Sequence, residues 1–417
     1  MIPSENNKRD LNAQWIFLAR QVLVSSGVWV HFFMFGLCMG TPTIYISQIR
    51  RDANSTDVIT EEMSSWLSST PMYSSVPNLF VVVAVSAYYG PTKAFLTICI
   101  TSVLGFLIMY FSTSVIGVLA GEVVIGALIA SDCVVCIRVL TEYISPQYRG
   151  SFLVIKSASF AWGMLIANLM GTFLRWKSIP LLGCALAVYA FVSALFWPDS
   201  PYWLASKQKY TACTDSHNWL KGQSIESVRE LESLIAAHDN FVQSKTGNRK
   251  HVRQLIETCY SKALYKAFGY AILLLCLHQF SGKIACNVYA LQIIKTVTNS
   301  ESTTYIGMLE NKYIFLTLLS LYMISVSCGP VSLSPSLIAE LCPLRNRNLY
   351  MFLVSLCGNM IMATVIKLLP LLFASMGSHG AFMFYGSSSL FFIILITCLV
   401  PETKDKSIIE MDALLRN

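Results

Sequence analysis

Apolar runs long enough to cross a bilayer recur along this chain, and that recurrence limits its fold more than any other feature. A run of about 18 or more apolar residues can cross the hydrocarbon core as a helix. Ten such runs are read, at roughly 21–47, 66–88, 94–112, 114–137, 152–174, 178–197, 264–294, 314–338, 349–374 and 379–399. Only 13% of the residues are charged, against about 25% in an ordinary soluble domain. So little charge cannot coat a surface in water. The expected fold class is an all-α membrane protein, a helical bundle of about ten spans whose solvent is the lipid bilayer.

The polar start, MIPSENNKRDLNAQW, lacks a short apolar core followed by a small-residue cleavage site. The first span is therefore expected to act as its own insertion signal. Of the 13 cysteines most lie inside apolar runs, where a thiol packs as a small hydrophobe. Cys133 and Cys136 form a C-x-x-C within a span, with no second pair at metal-binding spacing, so they are read as packing.

Basic residues collect in cytosolic loops. The long polar insert at 205–262 holds nine Lys and Arg residues, the N-terminal segment has Lys8, Arg9 and Arg20, and the tail has Lys404, Lys406 and Arg416. Placing all three in the cytosol requires an even number of spans before the insert, and six are read. The loop after the first span then lies outside. It carries Asn54-Ser55-Thr56, an acceptor for glycan that works only on that side. Within the insert, SIESVRELESLIAAHDNF (224–241) has Val228, Leu231, Leu234 and Ile235 at helical spacing. It is too charged to span and reads as a cytosolic helix lying against the bundle.

One piece of charged punctuation is written twice. Glu142, Pro146 and Arg149 follow the fourth span; Glu340, Pro343 and Arg347 follow the eighth of the ten. PDSP at 198–201 closes the first half and PETK at 401–404 closes the second. The offsets are 198 and 203 residues. Two halves built to one plan and joined by a cytosolic insert point to a transporter with internal repeats and a central site between them. The expected organisation is a cytosolic N-terminus (1–20), a six-span half (21–197), a cytosolic helical insert (198–263), a shortened four-span half (264–399) and a cytosolic tail (400–417).

Six stretches in order along the whole chain carry a family resemblance: SSWLSS (64–69), EYISPQYRG (142–150), PDSPYWL (198–204), HQFSG (278–282), AELCP (339–343) and PETKDKSIIEM (401–411). The chain resembles the sugar-porter branch of the major facilitator superfamily, and within it the insect facilitated trehalose and glucose transporters. That resemblance implies a major facilitator-type bundle of two pseudo-repeated halves. It also implies facilitated movement of a neutral sugar by alternating access, with no enzymatic activity, no cofactor or metal and no nucleic-acid partner. A multi-pass protein of the plasma membrane is expected. Glu142, Arg149, Glu340 and Arg347 are expected to pair across the halves as a cytosolic gate.

A neutral sugar calls for uncharged hydrogen-bonding groups and an apolar face. Gln279 matches one of the family's paired glutamines, with His278 in place of the other. Asn287, Tyr289, Asn359, Ser157 and Asn168 are the further candidates; each could instead join helices by hydrogen bonds. Proton-coupled relatives place an Asp in the first span, where FGLCMG (35–40) here has Cys38. Asp132 and Lys156 sit at similar depth on neighbouring spans and are read as a structural pair.

The departures are specific. Gly90 and Lys93 are what remains of the family's turn after its second span, and Glu122 stands where the family usually has Arg. The stretch CGPVSLSPSLIAE (328–340) lacks the Trp of the family's tenth span, and Lys283 follows HQFSG. Fewer than 80 residues separate the insert from Glu340, against about 120 apolar residues before Glu142. The family's eighth and ninth spans are thus expected to be missing, which would weaken transport. The alternatives weighed are a sugar sensor that binds without transporting and a non-functional isoform.

Overall fold

The computed structural model describes residues 5–52, 60–243, 262–282, 321, 334, 337–338, 341 and 347–401. All regular structure among them is helical. α1 runs Glu5–Asp52, α2 Glu61–Tyr89, α3 Pro91–Phe111 and α4 Val115–Ser131. A π-helical turn, Asp132–Cys136, joins α4 to α5, Ile137–Tyr143. Then come α6 Pro146–Phe173, α7 Ser178–Leu195, α8 Pro201–Ser206, α9 Tyr210–Lys221, α10 Ile225–Gln243, α11 Lys262–Phe280 and α12 Arg347–Leu399.

Eight segments among the described residues are long and apolar enough to cross a membrane: Trp15–Ile46, Glu62–Tyr89, Pro91–Phe111, Val115–Tyr143, Gln147–Gly171, Ser178–Leu195, Leu349–Leu369 and Gly380–Leu399. A ninth apolar helix, Leu264–Phe280, is shorter. The expected span at 264–294 continues past the described residues, and that at 314–338 lies almost wholly outside them. The surface is inverted, as lipid requires. Phe111, Ile116, Phe173 and Met383 are all more than 70% exposed. The chain is an integral multi-pass membrane protein.

Local sequence sets the helix ends. Gly90 takes a φ of 94°, a conformation that a side chain disfavours, and Pro91 opens α3 at the position where a missing N–H costs nothing. The serine hydroxyls at two helix starts cap them: Ser114 accepts from Gly117 N and Ser200 from Trp203 N, each at 3.2 Å.

The chain divides into two compact units. One comprises Met1–Thr41 and Ser74–Arg253; the other comprises Pro42–Tyr73 and Gln254–Asn417. The last turns of α1 and the first turns of α2 thus group with the second half of the sequence, and Pro42 marks the crossing within α1.

In the first unit small residues let backbones touch. A Cβ on Gly36 would lie 2.1 Å from Phe160 O, and one on Gly163 would lie 2.0 Å from Phe33 O. Gly40 faces Ala167 one turn further on. This small-x-x-x-small seam of α1 on α6 replaces the hydrophobic effect, which gives no drive between helices in lipid. Aromatic stacking adds to it: the Phe95 and Trp197 rings are 4.7 Å apart.

In the second unit Leu264, Ala267, Ala271, Leu274 and Leu275 of α11 pack with Tyr350 and Val354 of α12 and with Ile338 and Leu341. Tyr350 Oη donates to Ile338 O at 3.1 Å. α12 holds two spans with a break at Gly377, where φ is 68°.

Candidate functional site

One end of the first unit holds a cluster of charged and polar side chains. Arg138, on α5, donates from Nε to Glu142 Oε1 at 3.1 Å, one turn along the same helix. The other carboxylate oxygen of Glu142 accepts from Ser200 Oγ at 2.5 Å. Ser200 is the cap of α8, so the carboxylate ties the fourth span to the PDSP turn. Arg149 donates instead to Thr141 O at 2.7 Å, and its Nε has no hydrogen-bond partner among the described residues. Glu142 and Arg149 therefore share a turn without pairing with each other. The sequence reading does not single out Arg138, although its spacing of four from Glu142 is the signal of a helical ion pair.

Around this pair the same end is sewn together by neutral groups. Tyr143 Oη, which sits 2.8 Å from Thr92 Oγ1, donates to Pro198 O at 3.0 Å. Gln21 Nε2 donates to Ser145 Oγ at 2.9 Å and to Leu220 O at 3.1 Å, and Gln21 Oε1 accepts from Ser145 N at 3.1 Å. Trp203 Nε1 donates to Ala87 O, and the Trp203 ring fills the space that a side chain on Gly90 would need. The start of α1, the turn before α6 and the helices α8–α10 thus lie at one face of this unit. Arg20 Nη1 likewise donates to Trp219 O at 2.9 Å, on the same face.

Deeper in the same unit, Lys156 Nζ lies 3.3 Å from Asp132 Oδ1 and 4.1 Å from the centroid of the Phe32 ring. The charge pair expected between spans four and five is formed, at the π-helical turn, which no sequence pattern announces. Ser157 is exposed and donates to Leu153 O at 3.3 Å. Asn168 donates to Met164 O at 3.0 Å. Both of these bonds return to the residue's own helix.

In the second unit Gln279 is 4% exposed near the end of α11, and its Oε1 has no hydrogen-bond partner among the described residues. A buried carbonyl oxygen without a donor is costly, and among the described residues none supplies one to this amide. His278, beside it, is half-buried, and its carbonyl accepts from Ser281 Oγ at 2.9 Å. Gly282, with φ of 75°, ends the segment. Phe280 stands 6.0 Å from Phe392, ring to ring, which gives the neighbourhood an aromatic wall. Asn359 is half-buried on α12. Asn287, Tyr289, Glu340 and Asn54 lie outside the described residues, as does the side chain of Arg347.

Comparison with known proteins gives three findings. The family described as "Sugar (and other) transporter" matches in two stretches, residues 28–310 and 305–415. The two stretches meet at residues 305–310. The "Facilitated trehalose transporter Tret1" of Apis mellifera ligustica is 24% identical over 294 residues, which cover 70% of this chain and 57% of that protein. This chain thus spans little more than half the length of that relative. The protein of the same description from Polypedilum vanderplanki is 20% identical over 450 residues, covering 95% of this chain and 88% of the relative. That alignment is longer than the chain itself. Among solved structures, the proton:xylose symporter XylE bound to 6-bromo-6-deoxy-D-glucose matches with a TM-score of 0.69 at 12% identity, covering 95% of this chain and 99% of that one. This likeness shows the major facilitator fold.

Proposed function

The chain belongs to the sugar (and other) transporter family, and from that premise we propose that it moves a neutral sugar, a hexose or trehalose, down its gradient by alternating access. The observation that carries this reading is Gln279: a neutral amide in the family's HQFSG position, buried, with its carbonyl oxygen unpartnered among the described residues. A sugar hydroxyl is the donor that oxygen lacks. The first span offers no carboxylate at the position used by proton-coupled relatives, since Cys38 stands there. Asp132 is held by Lys156. Both facts favour movement without proton coupling.

The charged end of the first unit is read as the cytosolic side, with both termini there and the protein in the plasma membrane. Glu142, Arg149, Glu340 and Arg347 then form the cytosolic gate, with Arg138 and Ser200 holding Glu142 in place. Asn54 is the outer glycan acceptor. The test is purified protein in sealed vesicles, with labelled glucose and trehalose outside and no pH gradient. Saturable uptake that a proton gradient leaves unchanged supports the reading. Sugar binding without uptake would select the sensor.

A further inference from the structure

The turn between α2 and α3 and the end of α8 form one corner of the first unit, and Trp203 joins them. Its Nε1 donates to Ala87 O at 3.3 Å, and its ring lies against Gly90. Lys207 Nζ stands 5.8 Å from the centroid of that ring. Lys93 follows Gly90 by three residues, in the first turn of α3. The chain doubles back after α8. Lys209 N donates to Leu204 O at 3.0 Å and Gln208 N to Ala205 O at 2.9 Å, while Gln208 takes a φ of 60°, where glycine is the usual residue. This turn leaves Lys207, Gln208 and Lys209 exposed, and Lys93 is exposed as well.

Charge at this corner has one sign. No Asp or Glu occurs between Glu62 and Glu122, or between Asp199 and Asp215. Glu142 is held by Arg138 and Ser200, and Asp199 is half-buried. Among the described residues, none of Lys93, Lys207 and Lys209 is held in an ion pair. Aromatic rings stand beside these cations. Tyr88 and Tyr89, the last residues of α2, are 73% and 60% exposed, and Phe196, just past α7, is exposed too. Exposed rings at the ends of spans mark the boundary between hydrocarbon and headgroups. The corner therefore sits at headgroup depth.

We propose that Lys93, Lys207 and Lys209, with Tyr88 and Tyr89, form a binding site for an anionic phospholipid, its headgroup on the lysines and its glycerol and upper chains on the two rings. Charge complementarity selects the sign of the ligand, because each lysine near a membrane surface attracts an anionic headgroup. The rings select a lipid over a soluble anion, which has no chain to lay on them. The inference does not depend on which solute the chain moves. It agrees with the cytosolic placement of α8–α10 proposed above, since anionic lipids collect in that leaflet.

The test is native mass spectrometry of the purified full chain in nonionic detergent, titrated with dioleoyl phosphatidylserine or dioleoyl phosphatidylcholine. The proteins are the wild type, Lys93→Gln, Lys207→Gln, Lys207→Arg, the triple variant Lys93→Gln/Lys207→Gln/Lys209→Gln and the pair Tyr88→Ala/Tyr89→Ala. Lys177→Gln is the control, since Lys177 also stands by an indole, 5.7 Å from the Trp176 ring, but at the other end of α7. The wild type should retain phosphatidylserine over phosphatidylcholine. Lys93→Gln and Lys207→Gln should each raise the half-saturating phosphatidylserine concentration about fivefold, the strength of one lysine at a charged surface, and the triple variant should raise it further. The tyrosine pair should weaken retention, while Lys207→Arg and Lys177→Gln should stay near wild type. Equal thermal unfolding midpoints in lipid-free detergent show that the variants are folded. Equal retention of the two lipids, or a loss in Lys177→Gln as large as that in Lys207→Gln, overturns the site. Displacement of phosphatidylserine by equimolar glycerophosphoserine, or full retention by the tyrosine pair, overturns the lipid as occupant and marks a site for soluble phosphate esters.

Discussion

Glu142 is held twice, by Arg138 within its helix and by Ser200 from the turn after α7, while Arg149 serves a backbone carbonyl. Loss of the first partner strands a half-buried carboxylate. Arg138→Ala should therefore cost about 1–3 kcal/mol of stability, more than Arg149→Ala. Thermal unfolding of the two variants in one detergent compares them directly. Glu142, Pro146 and Arg149 were legible because the chain writes them twice. Arg138 was not, since the same offset of 198 residues lands on Ser336 and no copy draws attention to it. Gln279 was singled out from its motif alone; that its oxygen finds no donor among the described residues needed the packing around it. Gln279→Ala should remove one hydrogen bond to the sugar, about 0.5–1.5 kcal/mol, read as a two- to tenfold rise in the half-saturating concentration for uptake. Gly163 is tested by size. Gly163→Leu would drive a side chain into the Phe33 carbonyl and should cost about 1–3 kcal/mol or abolish folding, whereas Gly150→Leu, with open space around its Cβ, should be tolerated.

Among the elements, the insert shows both what patterning reveals and what it hides. The helix expected at 224–241 is α10, Ile225–Gln243. Its Leu231 and Leu234 pack on Trp203, Leu204 and Cys213, as their spacing predicts, while Val228 is 39% exposed. α8 and α9 are too short and too mixed in composition to show a helical period, so only the folded packing displays them. Their junction is expected to respond to acid. His217 Nε2 sits 3.0 Å from both Ser227 O and Ser227 Oγ. Burial, and next Lys221, hold His217 below its ordinary value of 6.5, against the smaller opposing pull of Glu230 and the Ser227 carbonyl. Lys221 is itself paired with Glu230 at 2.7 Å. A pKa lowered by folding means that the folded state favours the neutral ring. The stabilisation is thus present above about 6.5 and is lost as pH falls below it. The unfolding midpoint should drop more between pH 7.5 and 5.5 in the wild type than in His217→Gln. Equal drops would show that this junction does not sense acid.

For the whole molecule, apolar run lengths and the doubled punctuation were enough to read a helical membrane bundle with internal repeats, and the resemblance carried by six motifs added the major facilitator type. They could not show that the ends of α1 and α2 group with the second half, because a helix crossing from one unit to another leaves no mark in hydropathy. The two spans that the sequence leads one to expect missing from the second half bear on activity. Their loss would leave the path partly open to lipid, which solvates a polar solute poorly and would slow its passage. Inserting a relative's eighth and ninth spans between Glu301 and Lys312 should therefore raise the uptake rate; an unchanged rate would show that the present helices already enclose the path. The most direct measurement is uptake of labelled trehalose and glucose into vesicles holding the purified wild-type chain, with and without a proton gradient, beside Gln279→Ala. The account predicts saturable uptake of at least one sugar, indifferent to the proton gradient, with its half-saturating concentration raised two- to tenfold by Gln279→Ala, as one lost hydrogen bond requires. Uptake that demands a proton gradient, or folded protein that neither moves nor binds either sugar, would contradict it.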